Sequence, residues 1–257
     1  MTIRTRRTEA LVAAAGTVLL VAALSGCGST DAEDASAEHK SFAFSGEALT
    51  IDAENSTLDL VPADVEQIEV TRRVDGWVML GSGPDPVWEL KRDELRLEVK
   101  CRAVISNCAA HHEVKVPRGL ALTVQGDNGK VTAAGFTAPL TISADNGGVE
   151  VRDVSGPLKL SADNGTIEAE RVSGSSVIAR SDNGSVQLGL TQVPDLVDTV
   201  SDNGSITIDL PAGKNAYAVS AEADNGEVSV DVPRSDSSKH VVKARSDNGE
   251  ITVRSAN

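Results

Sequence analysis

The sequence predicts an all-β, single-domain β-solenoid, a β-helix-like stack of rungs about 20 residues long with Asp-Asn-Gly corners. Three observations carry that expectation. Asp-Asn-Gly recurs seven times between Gly119 and Asn257, with starts 18, 18, 19, 20, 22 and 23 residues apart. Apolar and polar residues alternate on both sides of each copy, the period of a strand with one buried face. Gly, Pro or Ser then marks a looser return, as in Ser155-Gly156-Pro157 and Pro211-Ala212-Gly213.

The copies are Asp127-Asn128-Gly129, Asp145-Asn146-Gly147, Asp163-Asn164-Gly165, Asp182-Asn183-Gly184, Asp202-Asn203-Gly204, Asp224-Asn225-Gly226 and Asp247-Asn248-Gly249. Five residues before each Asp stands Leu or Val, from Leu122 to Val242, and one residue before it only Gly, Ala or Ser. Four residues after it comes Val131, Val149, Ile167, Val186, Ile206, Val228 or Ile251, all β-branched, as a packed strand favours. Lys159, Arg180, Glu222 and Lys243 fall between the apolar positions and should face water. Asn-Gly between alternating strands is also a hairpin signal, so parity alone admits an antiparallel meander. The solenoid explains more, because in-register stacking turns each column into a continuous ladder.

The tripeptides read as structural turns. Stacked carboxylates about 4.8 Å apart repel by roughly 0.9 kcal/mol in water. A carboxylate accepting the N-H of the Gly two residues on gains about 1.5 to 3 kcal/mol. The turn therefore stands without a metal. Asn is expected in the left-handed region and Gly at a backbone position closed to larger residues. A calcium ladder is the alternative, although the Gly-Gly-x-Gly-x-Asp spacing of calcium-binding β-rolls is absent.

Residues 1–27 stand outside this fold. Arg4, Arg6 and Arg7 precede an apolar run from Ala10 to Leu24, and Leu24-Ser25-Gly26-Cys27 resembles the lipobox of bacterial lipoproteins. That resemblance implies a cleaved signal peptide and acylation of Cys27, hence a protein held by lipid on the extracytoplasmic face of the cell membrane. Cleavage would carry off Arg4, Arg6, Arg7 and Glu9 and move the net charge from -14 to -16. So acidic a chain argues against nucleic acid as a partner. Residues 28–41 are small, polar and acidic and read as a flexible tether.

Residues 42–118 carry the repeat in degraded form, as divergent first rungs ahead of the regular ones at 119–257. Leu49, Ile51 and Ala53 precede Glu54-Asn55-Ser56, with Leu58 and Leu60 after it. A weaker match sets Trp88, Leu90 and Arg92 before Asp93, with Leu97 and Val99 following. Asp75 to Pro86, containing Gly76, Gly81, Gly83, Trp77 and Met79, is expected to project as a loop. Trp77 and Trp88 either plug the end of the core or serve binding. Cys101 and Cys108 are expected to form a disulfide outside the cell. Zinc shared with His111 and His112 is the lesser reading, since adjacent histidines on a strand point to opposite faces.

Nothing in the repeat is interrupted to build a catalytic centre, so no enzyme and no cofactor is expected. The lipobox, the two cysteines ahead of HHEVKVPRGLALTV, and rungs such as PLTISADNGGVEVRDVSG together resemble the bacterial putative-adhesin family of β-strand-repeat proteins, over about Glu47 to Asn257. That resemblance implies a surface-exposed β-solenoid and carries no catalytic residues. The functional expectation is a non-catalytic adhesion or binding platform in the bacterial envelope, anchored to the membrane through Cys27 and contacting an envelope protein or glycan. A passive envelope spacer is the alternative, and a glycan-active β-helix enzyme the third reading.

Overall fold

The structure is a computed structural model and describes residues 35–256. Residues 1–34, including the lipobox and Cys27, lie outside the described residues, as does Asn257. The described residues form nineteen strands and no helix. Strand β1 (Glu38–Phe42) is followed by β2 (Ala48–Glu54), β3 (Ser56–Ala63), and the long β4 (Ile68–Lys91) and β5 (Glu94–Pro117). Each tripeptide copy then contributes two strands: β6 (Ala121–Asn128) and β7 (Val131–Ala134), β8 (Leu140–Asn146) and β9 (Val149–Arg152), β10 (Leu158–Asn164) and β11 (Ile167–Val172), β12 (Ser176–Asn183) and β13 (Val186–Leu190). The last three copies give β14 (Leu196–Asn203) and β15 (Ile206–Leu210), β16 (Ala218–Asn225) and β17 (Val228–Asp231), β18 (Val241–Asn248) and β19 (Ile251–Ser255).

Register decides between meander and solenoid. Leu122 lies beside Leu140 and Leu140 beside Leu158 in parallel strands, and Asn128, Asn146 and Asn164 follow suit. The first strand of a copy thus pairs with the first strand of its neighbour, and the second with the second, which is the solenoid. Like residues stack over like, so each apolar column becomes a buried ladder. Leu122, Leu140, Leu158, Val177, Val197 and Val242 form one, and Val131, Val149, Ile167, Val186, Ile206 and Ile251 face it from beyond the corner. A third column, from Phe136 through Val154 and Val172, lies where the second strands pass into the returns, whose backbones also bond rung to rung. Thr199 is buried within an apolar ladder, and its hydroxyl donates to the Lys243 carbonyl at 3.1 Å. Without that bond the buried hydroxyl would cost about 1 to 3 kcal/mol.

Rung order departs from chain order at both ends. β18 and β19 insert between β14 and β15 on one side and β16 and β17 on the other, leaving the sixth copy outermost. Val228 is consequently exposed, although its column is buried elsewhere. At the other end β2 and β3 sit between β5 and the β6–β7 rung.

The divergent rungs resolve unevenly. Glu54-Asn55-Ser56 is a rung corner, as its spacing predicts, with Leu49 beside Leu122 and Leu58 beside Val131. The weaker match around Asp93 is not. Arg92 and Asp93 turn a hairpin in which Lys91 pairs antiparallel with Glu94, and β4 covers the outer edge of β5. The tether also ends earlier than residue 41, because Glu38 to Phe42 pair antiparallel with Ile68 to Arg72 and cap the stack. Alternation of Phe42 with polar neighbours over only five residues was too short a pattern to reveal that strand. Trp88 belongs to this cap, with the Arg72 guanidinium 3.9 Å from its ring centre and the Lys40 ammonium 5.6 Å away.

Candidate binding surface

The corners decide whether the tripeptides are sites or struts. Their glycine N-H groups do not turn back to the Asp carboxylates. At Gly129, Gly165, Gly184, Gly204 and Gly249 each donates to the Asn carbonyl of an adjacent rung, at 3.0 to 3.2 Å. The Asx turn is therefore replaced by a bond between rungs, which satisfies the same donor without ordering a side chain. Nor is Asn left-handed: among the corner asparagines of the described residues, only Asn55 has positive φ, at 54°. Glycine is required by crowding instead. A Cβ on Gly147, Gly165, Gly184 or Gly204 would overlap the carbonyl of the glycine stacked on it.

Asn side chains supply a second strut. Asn128 donates to Asn55, Asn164 to Asn146, Asn183 to Asn164, Asn203 to Asn183, Asn248 to Asn203 and Asn225 to Asn248, at 3.0 to 3.2 Å. Under each corner the small-residue column completes the brace. Where it is Ser, as at Ser181, Ser201 and Ser246, the buried hydroxyl donates to the glycine carbonyl of the neighbouring rung at 2.9 to 3.1 Å. Asp145, Asp163, Asp182, Asp202 and Asp224 are left exposed beside this spine. Among the described residues no group of three or more His, Cys, Asp or Glu side chains is arranged to hold a metal ion.

Outside the ladders, charge is organised rung to rung. Glu150 is held by Lys130 and Arg152, and the Lys130 hydrogen bond draws its carboxyl below the ordinary range against the opposing effect of burial. Arg152 reaches Glu170 at 3.3 Å, and Arg171 holds Asp153 through two bonds of 2.7 and 2.8 Å. Further along, Arg254 donates to Asp209 at 2.6 Å. Between these clusters the β11–β13 register shifts after Ala169, and beyond the shift the column reads Gly189, Asp209, Arg254. Gly189 leaves an open hollow lined by Glu168, Arg171, Gln187, Thr207, Asp209 and Arg254. This is a polar basin on a flat sheet, with amide, hydroxyl and charged groups spaced by the strand lattice. Sequence reasoning missed the hollow. Its signal was the lone Gly in an otherwise charged column.

The histidines form a different arrangement. The Ser56 hydroxyl donates to the Thr57 carbonyl at 3.3 Å, and Ser56 Oγ lies 2.5 Å from His112 Nδ1. His111 bonds Asp59 at 2.7 Å through Nε2. The carboxylate therefore supports the wrong histidine for a Ser-His-Asp relay. His112 is fully buried, and burial, with Arg72 and His111 adding to it, pushes its pKa down to about 3. Cys101 and Cys108 are joined in a disulfide with Cα atoms 6.6 Å apart, so neither thiol is free to join those imidazoles at a metal.

The segment from Asp75 to Pro86 does project. It lies along residues 99–109 of β5, Gly76 opposite Cys108 and Gly81 opposite Ala103, as a double-layered loop at the corner of the first rungs. Trp77 and Met79 are exposed on it, whereas Trp88 packs against the cap. Of the two, Trp88 thus plugs the end of the core and Trp77 does not.

A family model described as Toastrack DUF4097 matches residues 113–254, more than half of the chain. No curated protein matches it. Among solved structures, a putative adhesin from Bacteroides fragilis is similar at 13% identity and a TM-score of 0.46, over 86% of this chain and 97% of that one. A putative cell adhesion protein from Clostridium sporogenes is similar at 12% identity and a TM-score of 0.37, over 86% and 99%.

Proposed function

We propose that this chain, which belongs to the Toastrack DUF4097 family, is a lipid-anchored envelope protein whose outward sheet columns form a non-catalytic binding platform. The observation that supports the reading most is the division of labour between columns. Ladders, Asn spine and buried Ser hydroxyls hold the rungs together, while Lys159, Arg180 and Gln187 stay exposed and the hollow over Gly189 stays open. A lattice of polar groups repeating at the rung spacing suits weak contacts made many times over, as with a polymer or a repetitive surface protein.

A hydrolytic role has no comparable support. The Ser56–His112 contact is sealed, with Ser56 4% and His112 0% exposed, and the nearby carboxylate bonds elsewhere. A group that must meet substrate cannot stay behind the rung it braces.

The test compares the wild-type chain with one in which Lys159, Glu168, Arg180 and Gln187 are replaced together by Ser. Both are offered solubilised envelope and cell-wall glycan, with calcium and with a chelator. Saturable retention by the wild type alone, with both chains equally folded by circular dichroism, supports the platform. Retention by neither leaves the passive spacer as the better account. Loss of retention with chelator would make the exposed Asp residues a cation site.

A further inference from the structure

Seven large hydrophobic residues are exposed among the described residues, and five of them share one place. Trp77, Met79 and Leu80 from β4, and Val104 and Ile105 from β5, crown the double loop, with Leu80 and Val104 exposed by 79% and 78%. The crown is built to be held out. Cys101 and Cys108 close the β5 layer at its base. Gly76 and Gly83 let the β4 layer lie against that pair, because a Cβ at either would fall within 2.8 Å of the β5 backbone. In a chain of net charge -14, neither Gly76 to Pro84 nor Cys101 to Cys108 contains a carboxylate, and the one charge they carry is Arg102. Contiguous apolar surface of this kind on a polar protein marks a contact site.

The direction of the chain names the occupant. β1 runs antiparallel to β4 with Glu38 beside Arg72, so the backbone ahead of Glu38 leaves the fold toward Arg73 to Asp75, at the base of the double loop. From Asp75 to the crown at Leu80 is five strand residues, about 17 Å. From Glu38 back to Cys27 is eleven residues, which span at most about 40 Å. A lipid on Cys27 would therefore keep the base of the loop, and the crown about 17 Å beyond it, within reach of the bilayer surface. Nine stacked strands at about 4.8 Å set the other end of the solenoid roughly 40 Å from this rung.

We infer that the crown is a membrane-docking device: Trp77, Met79, Leu80, Val104 and Ile105 insert into the interfacial layer of the bilayer that holds the chain's own lipid anchor. The inference rests on the anchored reading proposed above. Trp and Met at the headgroup boundary, aliphatic side chains below them, and one Arg available to phosphate fit that layer. A carboxylate-free tip is what an acidic protein needs to approach it. Anchor and crown then make two attachments, which fix the orientation of the solenoid and turn its outward columns to face the wall.

Trp88→Phe leaves Trp77 as the sole tryptophan while keeping a ring under Arg72. The full chain carrying this change is reconstituted into phosphatidylcholine–phosphatidylglycerol vesicles, with or without lipid brominated high on the acyl chains, and floated on a density gradient. The expected result is co-flotation with about a twofold loss of Trp77 emission to the brominated lipid. That loss should vanish in Leu80→Asp/Val104→Asp, which still floats. Flotation with unquenched Trp77 overturns the inference and leaves the anchor standing. Absence of both overturns anchor and crown together. A blue shift of Trp77 that grows with protein density, without bromine quenching, assigns the crown to a second copy and also overturns it.

Discussion

His112 gives the sharpest quantitative test of how the capped end is held. It is fully buried, bonded at Nδ1 to Ser56, and its Nε2 has no partner. Arg72 and His111 are the charged or titratable groups that face it, and neither favours a second positive charge. Its folded pKa of about 3 lies below the unfolded value of 6.5. Between those limits the unfolded chain binds a proton that the folded chain refuses, so stability falls as pH drops through 6.5 and continues to fall toward 3. From pH 7 to pH 5 the loss from this one group is about 2 kcal/mol. Urea unfolding followed by circular dichroism at pH 7, 6 and 5 measures it, with His112→Leu as the reference that shares every other titrating group. The variant should be the less stable at pH 7, having lost the short His112 contact to Ser56 Oγ, and the gap should close by about 2 kcal/mol at pH 5. A gap that stays constant over this range would refute the buried, uncharged histidine.

Two further predictions probe the regular rungs. Gly184→Ala places a methyl group against the Gly165 carbonyl and should cost about 1 to 3 kcal/mol by forcing the corners apart, whereas Ala at exposed Lys159 should be nearly neutral. Leu160→Ala removes a side chain that is 1% exposed in the middle of a ladder and should cost about 2 to 5 kcal/mol, read from the urea midpoint with the slope unchanged.

Much of this fold is legible in the sequence because a ladder demands the same residue type at every rung. The alternation around each tripeptide therefore fixes which face is buried, and the projecting loop announces itself through Gly76, Gly81 and Gly83 between polar ends. The corner chemistry is less legible. Asp-Asn-Gly suggests an isolated turn, in which Asp and Gly bond each other and Asn takes the left-handed region. Stacking changes the competition, since a neighbouring Asn carbonyl lies within bonding distance of the N-H of Gly129, Gly165, Gly184, Gly204 and Gly249. Except at Gly129, whose φ is 136°, the corner glycine is then selected by what lies over it and not by its own φ. The cap was missed for the opposite reason. β4 and β5 each run 24 residues, yet they bury their side chains only in part, so strict alternation fails where the pairing is longest.

Rung order was illegible for a reason that lies in the ladders themselves. Val197 can stack on Val219 as well as on Val242, and Ile206 on Val228 as well as on Ile251, so the inward columns do not say which copy comes next. The outward columns do. With the seventh copy inserted, Asp209 lies beside Arg254 and Arg254 beside Asp231, while Asp198 lies beside Lys243. Arg245 lies beside Glu222 and comes within 3.5 Å of Asp224. Stacking in chain order would instead bring Asp209 against Asp231 and leave Lys243, Arg245 and Arg254 on the open end. Arg254 beside Asp231 and Arg245 beside Glu222 would survive in either order, so insertion gains the Asp198–Lys243 and Asp209–Arg254 pairs and avoids Asp209 against Asp231; at about 0.2 to 1 kcal/mol each, these tip an otherwise indifferent core. Alternating charges near the open end choose the order of the rungs, and the proposed platform is confined to the columns left unpaired between them.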